Sequence, residues 1–271
     1  MKTKILFLSL LLMLAIGCNK DDDNNNDSSS TSEEIASAAK IDNISDDVLQ
    51  IVESESDESQ AGKIAETTES FLSDCVTITT QQSGNAIVRT LDFGTTNCAL
   101  FNGNLVRGKI ILTFNNDFDA ATRTISYAFD NFYHNDRHVE GNRTVVKTIL
   151  SNGHPQATID LNLTVTTPNG GVYLRTGQRV REFTEGYNTP NILIDNVFSI
   201  TGSWTTTLPT GNVQVATITS AVIAKWNCMH IVSGTINFTR NGNVAVLDYG
   251  NGTCDDDATI TINGTIHQVH L

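Results

Sequence analysis

The sequence predicts an all-β body: a single antiparallel β-sandwich or a strongly curved, extended sheet. Three observations carry that prediction. First, from Thr158 to Thr166 the residues Ile159, Leu161, Leu163 and Val165 alternate with Thr158, Asp160, Asn162 and Thr164. Val106 to Phe114 repeats the pattern, with Val106, Gly108, Ile110, Leu112 and Phe114 on one side. Period-two alternation over this length is the signature of a half-buried strand. Second, turn residues punctuate the runs: Ser83-Gly84-Asn85, Pro168-Asn169-Gly170-Gly171, Pro209-Thr210-Gly211-Asn212 and Asn241-Gly242-Asn243. Third, about a dozen such runs follow Phe71 with no helical periodicity among them. Short turns between consecutive runs imply antiparallel neighbours. Alternating runs of this length also fit a transmembrane barrel, but aromatic residues are only 7% of the chain, too few for two girdles.

Taken in order, the chain opens with Lys2 and Lys4, an apolar run from Ile5 to Ile16, and Gly17-Cys18. A basic start, a short apolar stretch and then small residues read as a cleaved secretory signal, residues 1–17. The cysteine at that boundary resembles the lipobox of bacterial lipoproteins, with Ala15 where that family most often has Leu. The resemblance implies that Cys18 is acylated and becomes the new N-terminus. Asp21-Asp22-Asp23 directly behind it resembles the surface-export signal of Bacteroidota lipoproteins, which implies an outer-membrane, surface-exposed location. A plain polar spacer is the alternative, and about 15 residues of coil would reach roughly 20 Å.

Residues 18–70 form an acidic leader, with fifteen acidic and three basic side chains, a net of −12; residues 71–271 have a net of −3. Ser45, followed by Asp46, Asp47 and Val48, is an N-cap signal, so a short helix over about Asp46 to Ser54 is expected within an otherwise flexible segment. The body has no cluster of Lys or Arg, which argues against nucleic acid as a partner. Residues 71–271 are long enough for one domain with a sizeable core.

Setting Cys18 aside leaves Cys75, Cys98, Cys228 and Cys254, an even number in an oxidising compartment. An internal echo orders them. Leu91-Asp92-Phe93-Gly94 before Cys98 returns as Leu247-Asp248-Tyr249-Gly250 before Cys254, each with a cysteine upstream and a Gly-Asn turn between. Two hairpins stapled at their open ends, Cys75–Cys98 and Cys228–Cys254, are the simplest arrangement; a long-range cross-link is the rival. Glycines inside apparent strands recur at Gly108, Gly141, Gly202, Gly234 and Gly264 and read as bends. The Asp92-Phe93-Gly94 motif, these strands and the closing run from Asp248 to Gly264 resemble a set of Bacteroidota lipoproteins without an assigned activity. The resemblance covers residues 75–271 and implies a shared β fold only.

No residue constellation in the sequence marks an enzyme. The histidines lack metal-ligand spacing, His134 and His138 flank Asp136, and Glu140, Glu182 and Glu185 have no fixed separation. Asp248, Asp255 and Asp257 are candidate oxygen ligands for Ca²⁺, a solvated loop being the plainer reading. Trp204 and Trp226 are candidate sugar-stacking residues, with core filling as the alternative. Apart from the acyl group on Cys18, no cofactor is expected. The expected function is a membrane-anchored, non-enzymatic lipoprotein that binds or scaffolds at the outer membrane, with a protein or glycan partner. The alternatives are a glycan-binding or glycan-degrading accessory and a periplasmic assembly or lipid-carrier role.

Overall fold

The computed structural model describes residues 30–61, 72, 74–117, 120–189 and 192–271. One helix, α1 (Ser32–Ala61), precedes fifteen strands. The first eight are β1 (Thr77–Ser83), β2 (Ala86–Asp92), β3 (Cys98–Ala99), β4 (Leu105–Asn115), β5 (Thr122–His134), β6 (Arg137–Glu140), β7 (Asn142–Ile149) and β8 (Pro155–Thr166). The rest are β9 (Val172–Glu185), β10 (Val197–Thr207), β11 (Val213–Lys225), β12 (Ile231–Arg240), β13 (Asn243–Asn251), β14 (Asp257–Ile262) and β15 (Thr265–His270). All belong to one antiparallel sheet that follows chain order, so the curved-sheet form of the expected all-β fold is the one adopted. Strands β6 and β7 are two halves of one strand, both seated between β5 and β8.

The sheet coils around α1. Side chains from β2, β5, β7, β9 and β12 all reach the helix, although these strands are spread across most of the sheet's width. Glycines allow the coiling. At Gly108 (φ +87°) a Cβ would meet the Asn131 carbonyl, and the β4–β5 register shifts there. Gly141, Gly202 and Gly234 make equally close approaches to Asn162, Gln178 and Ala221 on neighbouring strands. Gly264 is different: it follows Asn263 (φ 50°) in the β14–β15 turn, so it reverses the chain and is not a strand bend.

The helix extends well beyond Asp46 to Ser54 at both ends. Thr31 and Glu34 form a capping box: the Glu34 N–H donates to Thr31 Oγ1 (3.2 Å) and the Thr31 N–H to Glu34 Oε2 (3.0 Å). Apolar residues then occur on every side, and Ile35, Ala38, Ile41, Ile44, Val48, Ile51 and Val52 are all buried against the shell. A stretch that looked too acidic to order is therefore part of the core, because basic groups from the sheet neutralise it.

Two rims follow from the topology. One carries the turns β5–β6, β8–β9, β10–β11, β12–β13 and β14–β15 and is called here the turn rim. The opposite loop rim carries the connections β7–β8, β9–β10, β11–β12 and β13–β14. Cys75–Cys98 closes the open end of the β1–β2 hairpin at the turn rim, with Cα atoms 6.0 Å apart. Cys228–Cys254 closes that of β12–β13 at the loop rim, at 5.8 Å. Both cysteine pairs are the ones the repeat predicts.

Candidate functional site

The densest polar chemistry lies between α1 and the inner face of the shell. From the turn rim inward, Arg240 pairs with Glu34 (3.0 Å), and Arg175 donates to Asp42 and to the Ala38 carbonyl. Arg179 meets Asp46 at 3.3 Å and Asp42 at 3.9 Å. His134 Nε2 lies 2.7 Å from Asp47, whose oxygens also accept from Asn102 and Asn104. Arg181 and Lys147 share Glu53, and Arg89 pairs with Glu55 at 2.6 Å. Every acidic residue whose side chain is described in α1 thus faces a partner, except that Glu33 is capped locally by Thr31.

Strand alternation explains how β9 delivers three of these cations. Positions 175, 179 and 181 point inward while Leu174, Thr176 and Gln178 point out. Gly177 lies between Arg175 and Arg179 and opposite Trp204 in the β9–β10 register, and a Cβ there would lie 2.5 Å from the Ser203 carbonyl oxygen and from Trp204 Cα. The missing side chain lets the β9 and β10 backbones approach, and the Arg175 and Arg179 guanidiniums sit over the Trp204 ring at 5.1 and 5.2 Å. Arg181 covers Phe198 at 4.1 Å in the same way. Such contacts strengthen when desolvated.

Burial sets the electrostatics. It lowers Arg175 against the support of Asp42. It also works against Arg179, yet Asp46 and Asp42 carry that guanidinium above its ordinary value. Burial raises Asp46 despite Arg179 and Arg181, and raises the Tyr249 hydroxyl well above the usual tyrosine range. Arg143, 3% exposed, donates among the described residues to the neutral Tyr127 and Ser45 hydroxyls, at 3.4 and 3.3 Å. These groups hold one another in place and fix the position of the helix inside the sheet.

The residues singled out from sequence are placed elsewhere. Cys18 lies outside the described residues. Trp204 and Trp226 are buried, at 2% and 6% exposure, so neither lines a sugar-stacking groove. Asp248, Asp255 and Asp257 line one open cleft of about 550 Å³ at the loop rim, with Asn251 and Gln268. Two of them already serve the backbone: Asp248 accepts from Gly250 N–H (2.8 Å) and Asp255 from Asp257 N–H (3.2 Å). Asp92 caps Gly94 in the same way (2.9 Å), which gives the sequence echo its physical basis. Asp256, Asp257 and His270 form an exposed cluster. His134 belongs to the interior, whereas His138 sits on β6 near Glu140 at 3.6 Å. Asp136 is held below the usual carboxylate range by Arg107, then Asn97. Glu182 is held low by His154 and then Asn152, and Glu140 lies beside His138. No family model, no curated protein and no solved structure matches this chain.

Proposed function

We propose that this chain is a lipid-anchored, non-enzymatic lipoprotein of the bacterial outer membrane or cell surface whose β shell is a binding or scaffolding body. The observation that carries the reading is the filled interior. Helix α1 occupies the space that a carried lipid would need, and its buried acids are matched to shell cations. Groups that would otherwise supply acid–base chemistry are committed to those pairs. Recognition is left to the outside of the shell, which a tether at Cys18 would present to solvent.

Replacing Cys18 with Ser tests the anchor: the variant should leave the membrane fraction, and continued membrane association of Cys18→Ser would sink it. Protease shaving of intact cells then reports the face, because digestion of residues 71–271 while a periplasmic control survives means surface exposure. A second reading, glycan recognition, draws on the loop-rim cleft, whose volume and polar lining suit a small ligand. Calorimetric titration with glycans against Asp255→Ala and Gln268→Ala variants separates the two; heats unchanged by both substitutions would remove the cleft from consideration.

A further inference from the structure

The outward face of the shell is uneven in a way that the interior does not explain. Among the described residues, nine of the thirteen exposed large apolar side chains lie in the turn-rim half of the sheet. Six sit on alternate strands of one run of the sheet: Val172 and Leu174 on β9, Val213 and Val215 on β11, Val244 on β13 and Ile266 on β15. Cross-strand register assembles them into rows. Leu174 pairs with Thr207, and Thr207 with Val213. One step inward, Thr176, Thr205, Val215, Thr239 and Val244 are successive partners. Asn237, Val246, Thr261 and Ile266 form the next row. None of these residues is charged. The four turns that cap the rows, residues 167–171, 208–212, 241–242 and 263–264, contain no charged residue either. Charge on the turn rim lies to one side of these rows, where the β5–β6 turn holds Asp136 paired with Arg107; the loop rim bears Asp195 and the Asp255-Asp256-Asp257 run.

The leader enters the shell at this same edge. The Ser30 hydroxyl donates to Gln214 Oε1 at 3.0 Å, and Gln214 points inward between the outward-facing Val213 and Val215. Twelve residues separate Ser30 from Cys18, and fully extended they span at most about 43 Å. Strands of eleven to fourteen residues place the loop rim on the order of 40 Å further off, at the usual rise per residue. A tether that begins beside Val213 therefore brings the uncharged belt to the bilayer first.

We infer that the turn-rim belt of Leu174, Val213, Val215 and Val244 docks on the phospholipid surface to which the chain is tethered, orienting the loop rim away from the membrane. This rests on the reading of Cys18 as the anchor. An uncharged apolar and threonine face loses little on entering the headgroup boundary and gains in proportion to the apolar area it buries. The acidic loop rim would be repelled by anionic headgroups; Asp21, Asp22, Asp23 and Asp27 of the tether carry the same sign, so it is apolar burial at the end of a short tether, and not charge, that brings the belt to the surface.

The test uses residues 18–271 with the Cys18 thiol coupled to a maleimide lipid in phosphatidylethanolamine/phosphatidylglycerol nanodiscs containing a spin-labelled lipid. Methyl relaxation enhancements should be several-fold larger at Leu174, Val213, Val215 and Val244 than at Ile149 and Ile194, which are exposed at the loop rim. Equal enhancements, or larger ones at Ile149 and Ile194, would overturn the inference. In Val213→Glu/Val215→Glu the enhancement at Leu174 and Val244 should fall to the loop-rim level, with interior methyl shifts unchanged; persistence of the enhancement would count against the belt. Broadening of belt signals with protein concentration and no nanodiscs would assign the face to a second copy and not to lipid. Because the coupling supplies the tether, failure of the cell to acylate Cys18 is read separately, from the mass of the native N-terminal peptide, and leaves the nanodisc result standing.

Discussion

Asp42 is fully buried and, among the described residues, is the carboxylate with which Arg175 pairs, so removing its charge strands that guanidinium, whereas Arg179 keeps Asp46. Asp42→Asn should destabilise by about 3–5 kcal/mol, the cost of leaving a buried partner uncompensated; a urea midpoint equal to wild type would show that Arg175 finds another anion. Asp46 is expected to behave oppositely with pH. Burial raises its pKa in the fold above the ordinary value of 3.8, so the folded state takes up the proton more readily than the unfolded chain. Its ionised form therefore costs stability at neutral pH, and that cost is relieved as pH falls through the raised value towards 3.8. Asp46→Asn, which mimics the protonated group, should match or exceed wild-type stability at neutral pH, the difference vanishing on acidification. A variant deficit that grows as pH falls would contradict this sign.

At the scale of elements, the strands curl because particular residues lack a side chain where backbones approach. Gly84 and Gly108 separate two effects. Both have positive φ, at +60° and +87°, but a Cβ on Gly84 meets open space while one on Gly108 meets the Asn131 backbone. Gly84→Ala should cost about 1–2 kcal/mol for the left-handed conformation alone. Gly108→Ala should cost more, since the β4–β5 ladder must open to accommodate it. Thermal unfolding of the pair, with amide exchange on β4 and β5, measures both; equal losses would mean that the close approach relaxes without consequence.

For the molecule as a whole, α1 is the centre on which the sheet closes. Removing it would leave Arg175, Arg179 and Arg181 facing a concave interior with their α1 carboxylates gone, and would uncover the apolar residues packed on Ile41, Ile44, Val48 and Val52. Residues 71–271 alone should therefore show no cooperative thermal transition, and a peptide covering residues 30–61 should restore one in trans. A cooperative melt of the truncated chain would relegate α1 to an accessory. The two disulfides do not substitute for the helix, because each staples a local hairpin and neither links the edges of the sheet.

The sequence alone determined the all-β class, the antiparallel neighbours and four of the five glycine bends, and it favoured the hairpin disulfides over a long-range cross-link. Each depends on neighbours close along the chain: side-chain alternation, turn chemistry, and a repeat of Asp-x-Gly before a cysteine. The start of α1 was not among them: the expected cap at Ser45 lies inside the helix, which begins instead behind the Thr31–Glu34 capping box. Only the tertiary structure decided that this leader is core. Asp42, Asp46 and Glu53 are like charges in sequence, and their partners Arg175, Arg179 and Arg181 lie more than a hundred residues away. Likewise Trp204 is indistinguishable from a surface tryptophan until Arg175 and Arg179 on the neighbouring strand lie over its ring in the interior. Charge compensation and ring packing are pairwise properties, and the pairs exist only after the sheet has coiled.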